Sequence, residues 1–96
     1  MKVIFSEQER ELEKIGKRMD RLDSIIHEYL RRNRKTVDYL SGKVGCSPST
    51  LWRYSRRVDY FRKAPLEILS GIFLMANASN EDIRYILGLP TGKNEN

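Results

Sequence analysis

Arg53 and Arg56 stand three positions apart in the stretch Ser47-Pro48-Ser49-Thr50-Leu51-Trp52-Arg53-Tyr54-Ser55-Arg56. On a helix, positions three and four apart share a face. A guanidinium fork matches the O6 and N7 acceptors of a guanine edge, a serine hydroxyl bonds a base edge or a phosphate, and an aromatic ring meets the methyl of thymine. With Leu51 and Tyr54 turned inward as anchors, Ser47, Pro48, Ser49, Trp52, Arg53 and Arg56 turn outward together and are the candidate base-reading residues. Two of them keep a second reading. Trp52 can instead cover a helix pair from outside, and Arg56 can hold a phosphate, which adds affinity without sequence information.

Phosphate chemistry is also suggested by the charge around that stretch. Residues 31–63 carry a net charge of +8, whereas residues 1–30 come to −1 and residues 64–96 to −2. The formal charge of the whole chain is only +5. Scattered charge of both signs is enough for solubility, so this segregation points to a polyanion neutralised locally. Arg34, Lys35, Thr36, Lys43, Thr50, Arg57, Arg62 and Lys63 are the candidate backbone contacts, with Arg31 and Arg32 leading into them. Double-stranded DNA is the expected partner.

Other chemistries lack their residues. Cys46 is the single cysteine and His27 the single histidine, so one chain can build neither a disulfide framework nor a zinc cage of four Cys/His ligands. Cys46 reads as a small buried hydrophobe and His27 as a surface helix residue. Glycine-rich phosphate loops, nucleophile–base signatures and converging carboxylate pairs are absent, so no enzyme activity, metal, cofactor or small-molecule ligand is expected. There is no apolar run of about 18 residues, nor does Met1-Lys2-Val3-Ile4-Phe5 supply the apolar stretch of about 7 to 15 residues of a signal peptide. A cytoplasmic, nucleoid-associated protein away from membranes is expected.

Helices must position these residues. The chain has 96 residues, room for one core, and no strand-like alternation. Ser6 and Glu9 fit a capping box with Phe5 as a staple, and Leu12, Ile15, Met19, Leu22, Ile26 and Tyr29 form a heptad-type stripe on a helix to about Arg32, with Gly16 a possible break. That stripe suits either the core or a second chain. Thr36 caps a helix to Lys43 or Val44, facing Val37 and Leu40 inward and stopping at Gly45. Ser47 and Pro48 start the next, to Arg56. Pro65 opens an apolar helix with Leu66, Ile68, Leu69, Ile72, Phe73 and Met75, and Ser79 precedes a short one with Ile83, Ile86 and Leu87, stopped by Gly88 and Pro90.

The run from Thr36 to Ser55 resembles the helix-turn-helix of the lambda repressor and Cro superfamily. Leu40 and Val44 give the inward face, Ser41 a close helix crossing, Gly45 the turn, Cys46 its plug, and Leu51 and Tyr54 the anchors. The resemblance spans about residues 19–89 and implies an all-α, compact five-helix domain with an extended N-terminal helix: an extension over 1–18, the DNA-binding domain over 19–89 and a disordered tail over 90–96. It also implies phosphate contacts by the loop after the recognition helix, which suits Arg62 and Lys63. Val37 departs from the glutamine that family often has there. A narrower similarity, through Lys35-Thr36-Val37, Gly45 and Ser49-Thr50-Leu51, is to the stage III sporulation protein D regulators. The resulting expectation is a repressor-like transcription regulator, homodimeric on an inverted repeat. The alternatives are a protein-interaction adaptor, antitoxin or antirepressor on the same fold, or the DNA-binding subunit of a recombination complex.

Overall fold

Ile15, Met19, Leu22, Ile26 and Tyr29 recur at gaps of four, three, four and three, which keeps one stripe in register on a helix. In the computed structural model, which describes residues 7–90, they are the buried stripe of a single helix, α1 (Glu7–Asn33). The break considered at Gly16 does not occur. Acidic Glu7 and Glu9 in the first turn and basic Arg31 and Arg32 in the last suit the helix dipole. α1 ends where Arg34 turns left-handed at φ 54°, allowing the Lys35 amide to reach the Leu30 carbonyl at 3.0 Å. Ser6 and Phe5, expected to cap and staple this helix, and residues 91–96 of the expected tail lie outside the described residues.

Five shorter helices follow: α2 (Val37–Val44), α3 (Pro48–Arg56), α4 (Val58–Arg62), α5 (Leu66–Ala76) and α6 (Asn80–Leu87). Side-chain caps open three of them. Thr36, Ser47 and Ser79 accept from the amides of Tyr39, Thr50 and Asp82, each cap stabilising its helix by about 1 kcal/mol. Gly45 and Gly88 close α2 and α6 in the left-handed region.

The all-helical expectation holds among the described residues, but there are six helices rather than five. The addition is α4. Arg57, the residue just before it, makes no side-chain cap, and what fixes the turn is Phe61, 6% exposed, driven into the core. α5 buries Ile68, Leu69, Ile72 and Phe73, whereas Leu66 faces solvent and Met75 is half-buried.

α1 runs along the molecule and packs against α3, α4, α5 and α6, while α2 packs between α3 and α5. Leu22, Ile26, Leu40, Leu51, Ile72 and Ile86 are fully enclosed, each contributing about 1.5 to 3 kcal/mol by burial. Ile15 belongs to the same core, so the packed body begins before residue 19. Upstream, Glu7–Lys14 are exposed throughout, and Leu12, counted with the stripe, is half in solvent. Polar ties reinforce the long-range contact: Arg18 Nε donates to the Ile86 carbonyl at 3.0 Å and Arg21 pairs with Asp82 at 2.6 Å. Among the described residues no helix is long and apolar enough to cross a membrane.

Candidate nucleic-acid interface

α2 and α3 are joined by three residues, Gly45, Cys46 and Ser47. Gly45 sits at φ 93°, ψ 32°, and its amide and that of Cys46 both reach the Ser41 carbonyl, at 2.9 and 3.0 Å. Ser41 is 1% exposed, and its hydroxyl is satisfied by the Asp38 carbonyl at 3.1 Å. Cys46 is half-buried against the core, and burial pushes its thiol pKa up. A protonated, packed thiol fits the role of plug beneath the turn.

Leu51 and Ser55 point inward from α3, whereas Ser49, Arg53 and Arg56 are exposed and Trp52 and Tyr54 flank them half-buried. The outward face therefore contains the expected base-reading positions, but their side chains differ in freedom. Ser49 and Arg53 face solvent. Ser47 is occupied in capping, its hydroxyl donating to Thr50 Oγ1 at 2.9 Å, and Pro48 fills the first turn. Trp52 lies against α1, its ring centroid 4.9 Å from that of His27, so its indole covers the α1–α3 seam.

Arg56 is folded back to α1. Its Nε donates to Asp23 Oδ1 at 3.3 Å, its NH2 lies 3.3 Å from His27 Nε2, and its Cζ stands 4.2 Å over the Trp52 ring. Asp23 also accepts from the buried Ser55 hydroxyl at 2.9 Å. Neither Asp23 nor His27 was singled out as a site residue from sequence. The available signal is their spacing: they stand four apart, each one position after a core residue, Leu22 and Ile26.

The basic residues sort into paired and unpaired. Arg32 and Arg31 both hold Glu28, and the Arg32 hydrogen bond, followed by that of Arg31, keeps its carboxyl pKa below the usual value. Arg57 pairs with Asp59 at 3.4 Å. Arg34, Lys35, Lys43, Arg53, Arg62 and Lys63 make no ion pair among the described residues.

Two tyrosines, Tyr39 of α2 and Tyr60 of α4, each gather two cations. Lys35 and Lys43 stand over Tyr39 at 4.3 and 5.4 Å from the ring centroid, at positions four apart on each side of it. Arg53 and Arg57 approach the Tyr60 ring at 5.6 and 5.7 Å. Thr36 and Thr50, expected at phosphates, lie at the starts of α2 and α3 in the cap hydrogen bonds.

Arg62 and Lys63, both expected at phosphates, border different hollows. Lys63 borders a hollow with Tyr54, Asp59 and Tyr60, next to α3. Arg62 borders a groove with Glu11, Leu12 and Ile15 of α1. Among the described residues no group of three or more His, Cys, Asp or Glu side chains could hold a metal ion. No protein-family model, no curated protein and no solved structure matches this chain.

Proposed function

We propose that this chain is a sequence-specific double-stranded DNA-binding transcription regulator whose α2–turn–α3 unit is a lambda-repressor-like helix-turn-helix. The observation that carries the reading is the outward face of α3. It offers Ser49 and Arg53 to solvent, and the neighbouring helices add two tyrosines with cations over them, Tyr39 of α2 with Lys35 and Lys43, and Tyr60 of α4 with Arg53 and Arg57. With its side chains an α-helix is about 10 to 12 Å across, a fit for a major groove about 12 Å wide. Arg53 reads a guanine edge and Ser49 a base edge or phosphate, while Arg34, Lys35, Lys43 and Lys63 neutralise phosphates on the flanks. The protein acts as a homodimer on an inverted repeat, in the cytoplasm at the nucleoid, by occluding or recruiting polymerase, with no catalysis and no cofactor.

Selection of bound sequences from a random duplex pool tests this. Enrichment of an inverted repeat, with affinity falling steeply as salt rises, is the expected result. No enrichment and no salt dependence would end the reading. Exposed Leu12, Leu66, Leu74 and Leu89 favour a second one, a protein-interaction adaptor, antitoxin or antirepressor, which a tight protein partner and weak salt dependence would support.

A further inference from the structure

Asp23, His27 and Arg56 meet around one nitrogen. His27 Nε2 lies 3.3 Å from Asp23 Oδ2 and 3.3 Å from Arg56 NH2. An ionised carboxylate only accepts hydrogen bonds and a guanidinium only donates them, so Nε2 can serve one of these neighbours at a time. Without a proton it accepts from Arg56; with one it donates to Asp23. While Arg56 is docked, a neutral imidazole protonated on Nδ1 satisfies the guanidinium. A protonated imidazole would instead hold a positive charge against it.

Arg56 is held by contacts that exchange readily. Its side chain is 52% exposed, so its pairing with Asp23 is screened by solvent, and a phosphate or a guanine edge offers the same guanidinium a charge-assisted or two-pronged partner. Its departure would leave Asp23 with the Ser55 hydroxyl and His27. The charged groups facing His27 are then Asp23 alone on its own helix and none from α3. Arg31, one turn along α1, is drawn to Glu28 at 2.9 Å, and Glu28 is held by Arg31 and Arg32. Trp52, tilted at 32° against the imidazole, carries no charge.

We propose that Asp23 and His27 form a docking station on α1 from which DNA draws Arg56, and that its departure leaves His27 protonated on Asp23, so that binding takes up a proton. This rests on the DNA-binding reading above. The balance is one proton from solvent onto Nε2, with the Arg56 charge transferred from Asp23 to DNA and no covalent bond made or broken. Asp23 and His27 are positioning residues for Arg56.

The experiment is calorimetric titration of the full chain with a mixed-sequence duplex, in two buffers of different ionisation heat, across the range of about pH 5 to 8 in which histidines change charge. The wild type is expected to take up as much as one proton, its affinity rising by no more than about tenfold per pH unit as pH falls. His27→Gln and Arg56→Ala are expected to show no uptake and a flat profile. His27→Phe keeps a ring against Trp52 without a titrating nitrogen and is expected to match His27→Gln, which separates the proton from packing. Asp23→Asn is expected to bind the mixed-sequence duplex several-fold more tightly at pH 8, also with a flat profile. Wild-type binding without proton uptake, uptake retained in His27→Phe, or Asp23→Asn binding no more tightly would each overturn the proposal alone. No binding of wild type to this duplex or a selected one would overturn the DNA reading beneath it.

Discussion

Gly71 of α5 lies directly against Val44 of α2: a Cβ at position 71 would stand 3.0 Å from Val44 Cγ1 and 3.3 Å from its Cβ. This contact seats the helix that precedes the turn onto the apolar helix beneath it. Alanine at 71 would crowd a stiff β-branched neighbour but gain about 1 kcal/mol of helix propensity, so Gly71→Ala is expected to be close to neutral. Gly71→Leu has no such room and is expected to cost about 1 to 3 kcal/mol. Urea unfolding of both variants checks the contrast.

Gly45 poses the opposite problem. A Cβ there meets nothing within 4 Å, yet its φ is 93°. Gly45→Ala is therefore expected to cost about 1 to 2 kcal/mol through backbone strain alone. A thermal midpoint unchanged from wild type would show that the turn accommodates a side chain.

Leu51 is 0% exposed at the centre of the α3 inner face. Leu51→Ala is expected to destabilise the fold by about 2 to 5 kcal/mol, whereas Ser49→Ala, on the outer face, is expected to leave unfolding within about 0.5 kcal/mol of wild type. Chemical denaturation of the two variants reads this difference.

Arg53 and Lys63 test the division between base and phosphate. Arg53→Ala is expected to cost about 1 to 3 kcal/mol on a selected site and relax preference at one base position. Lys63→Ala is expected to weaken all sequences alike and reduce the salt slope by about one. Binding isotherms over a salt series, on selected and mixed-sequence duplexes, distinguish them. Arg53→Ala with unchanged base preference would remove Arg53 from the reading face.

The Glu28 carboxyl is held low by the hydrogen bonds of Arg32 and Arg31. A carboxyl lowered on folding stabilises the fold above its unfolded pKa, and that contribution disappears as pH falls through the folded value. Glu28→Gln is therefore expected to melt lower than wild type near neutral pH, the gap closing below about pH 4. Melting curves across that range would show it.

What the sequence makes legible here is local. The caps Thr36, Ser47 and Ser79 and the stops Gly45 and Gly88 act through their own or neighbouring turns, so residue type and spacing announce them. α4 has no such marker, because Phe61 finds its place only against a core assembled from distant segments. Leu12 continues the spacing of Ile15 and Met19 but lies beyond the packed body, and periodicity carries no information about where the opposing surface stops. The α3 site was readable as a face and unreadable as a set of free groups. Spacing turns Arg56 outward, but the side chain is long enough to fold back onto Asp23, 33 positions earlier. Arg62 and Lys63 are adjacent in sequence yet border different hollows, because neighbouring residues on a helical turn diverge by about 100°.

The ties from α1 to α6 have a consequence for synthesis. Arg18 meets Ile86 and Arg21 meets Asp82 across 68 and 61 positions, so α1 finds these partners only when α6 has emerged. Loop closure of that length is a late and slow event relative to helix formation. The apolar stripe of α1 must therefore wait with part of its surface uncovered while the ribosome completes the chain. A chain arrested before Ile86 would hold the whole α2–α3 unit and still lack the closing piece of its core.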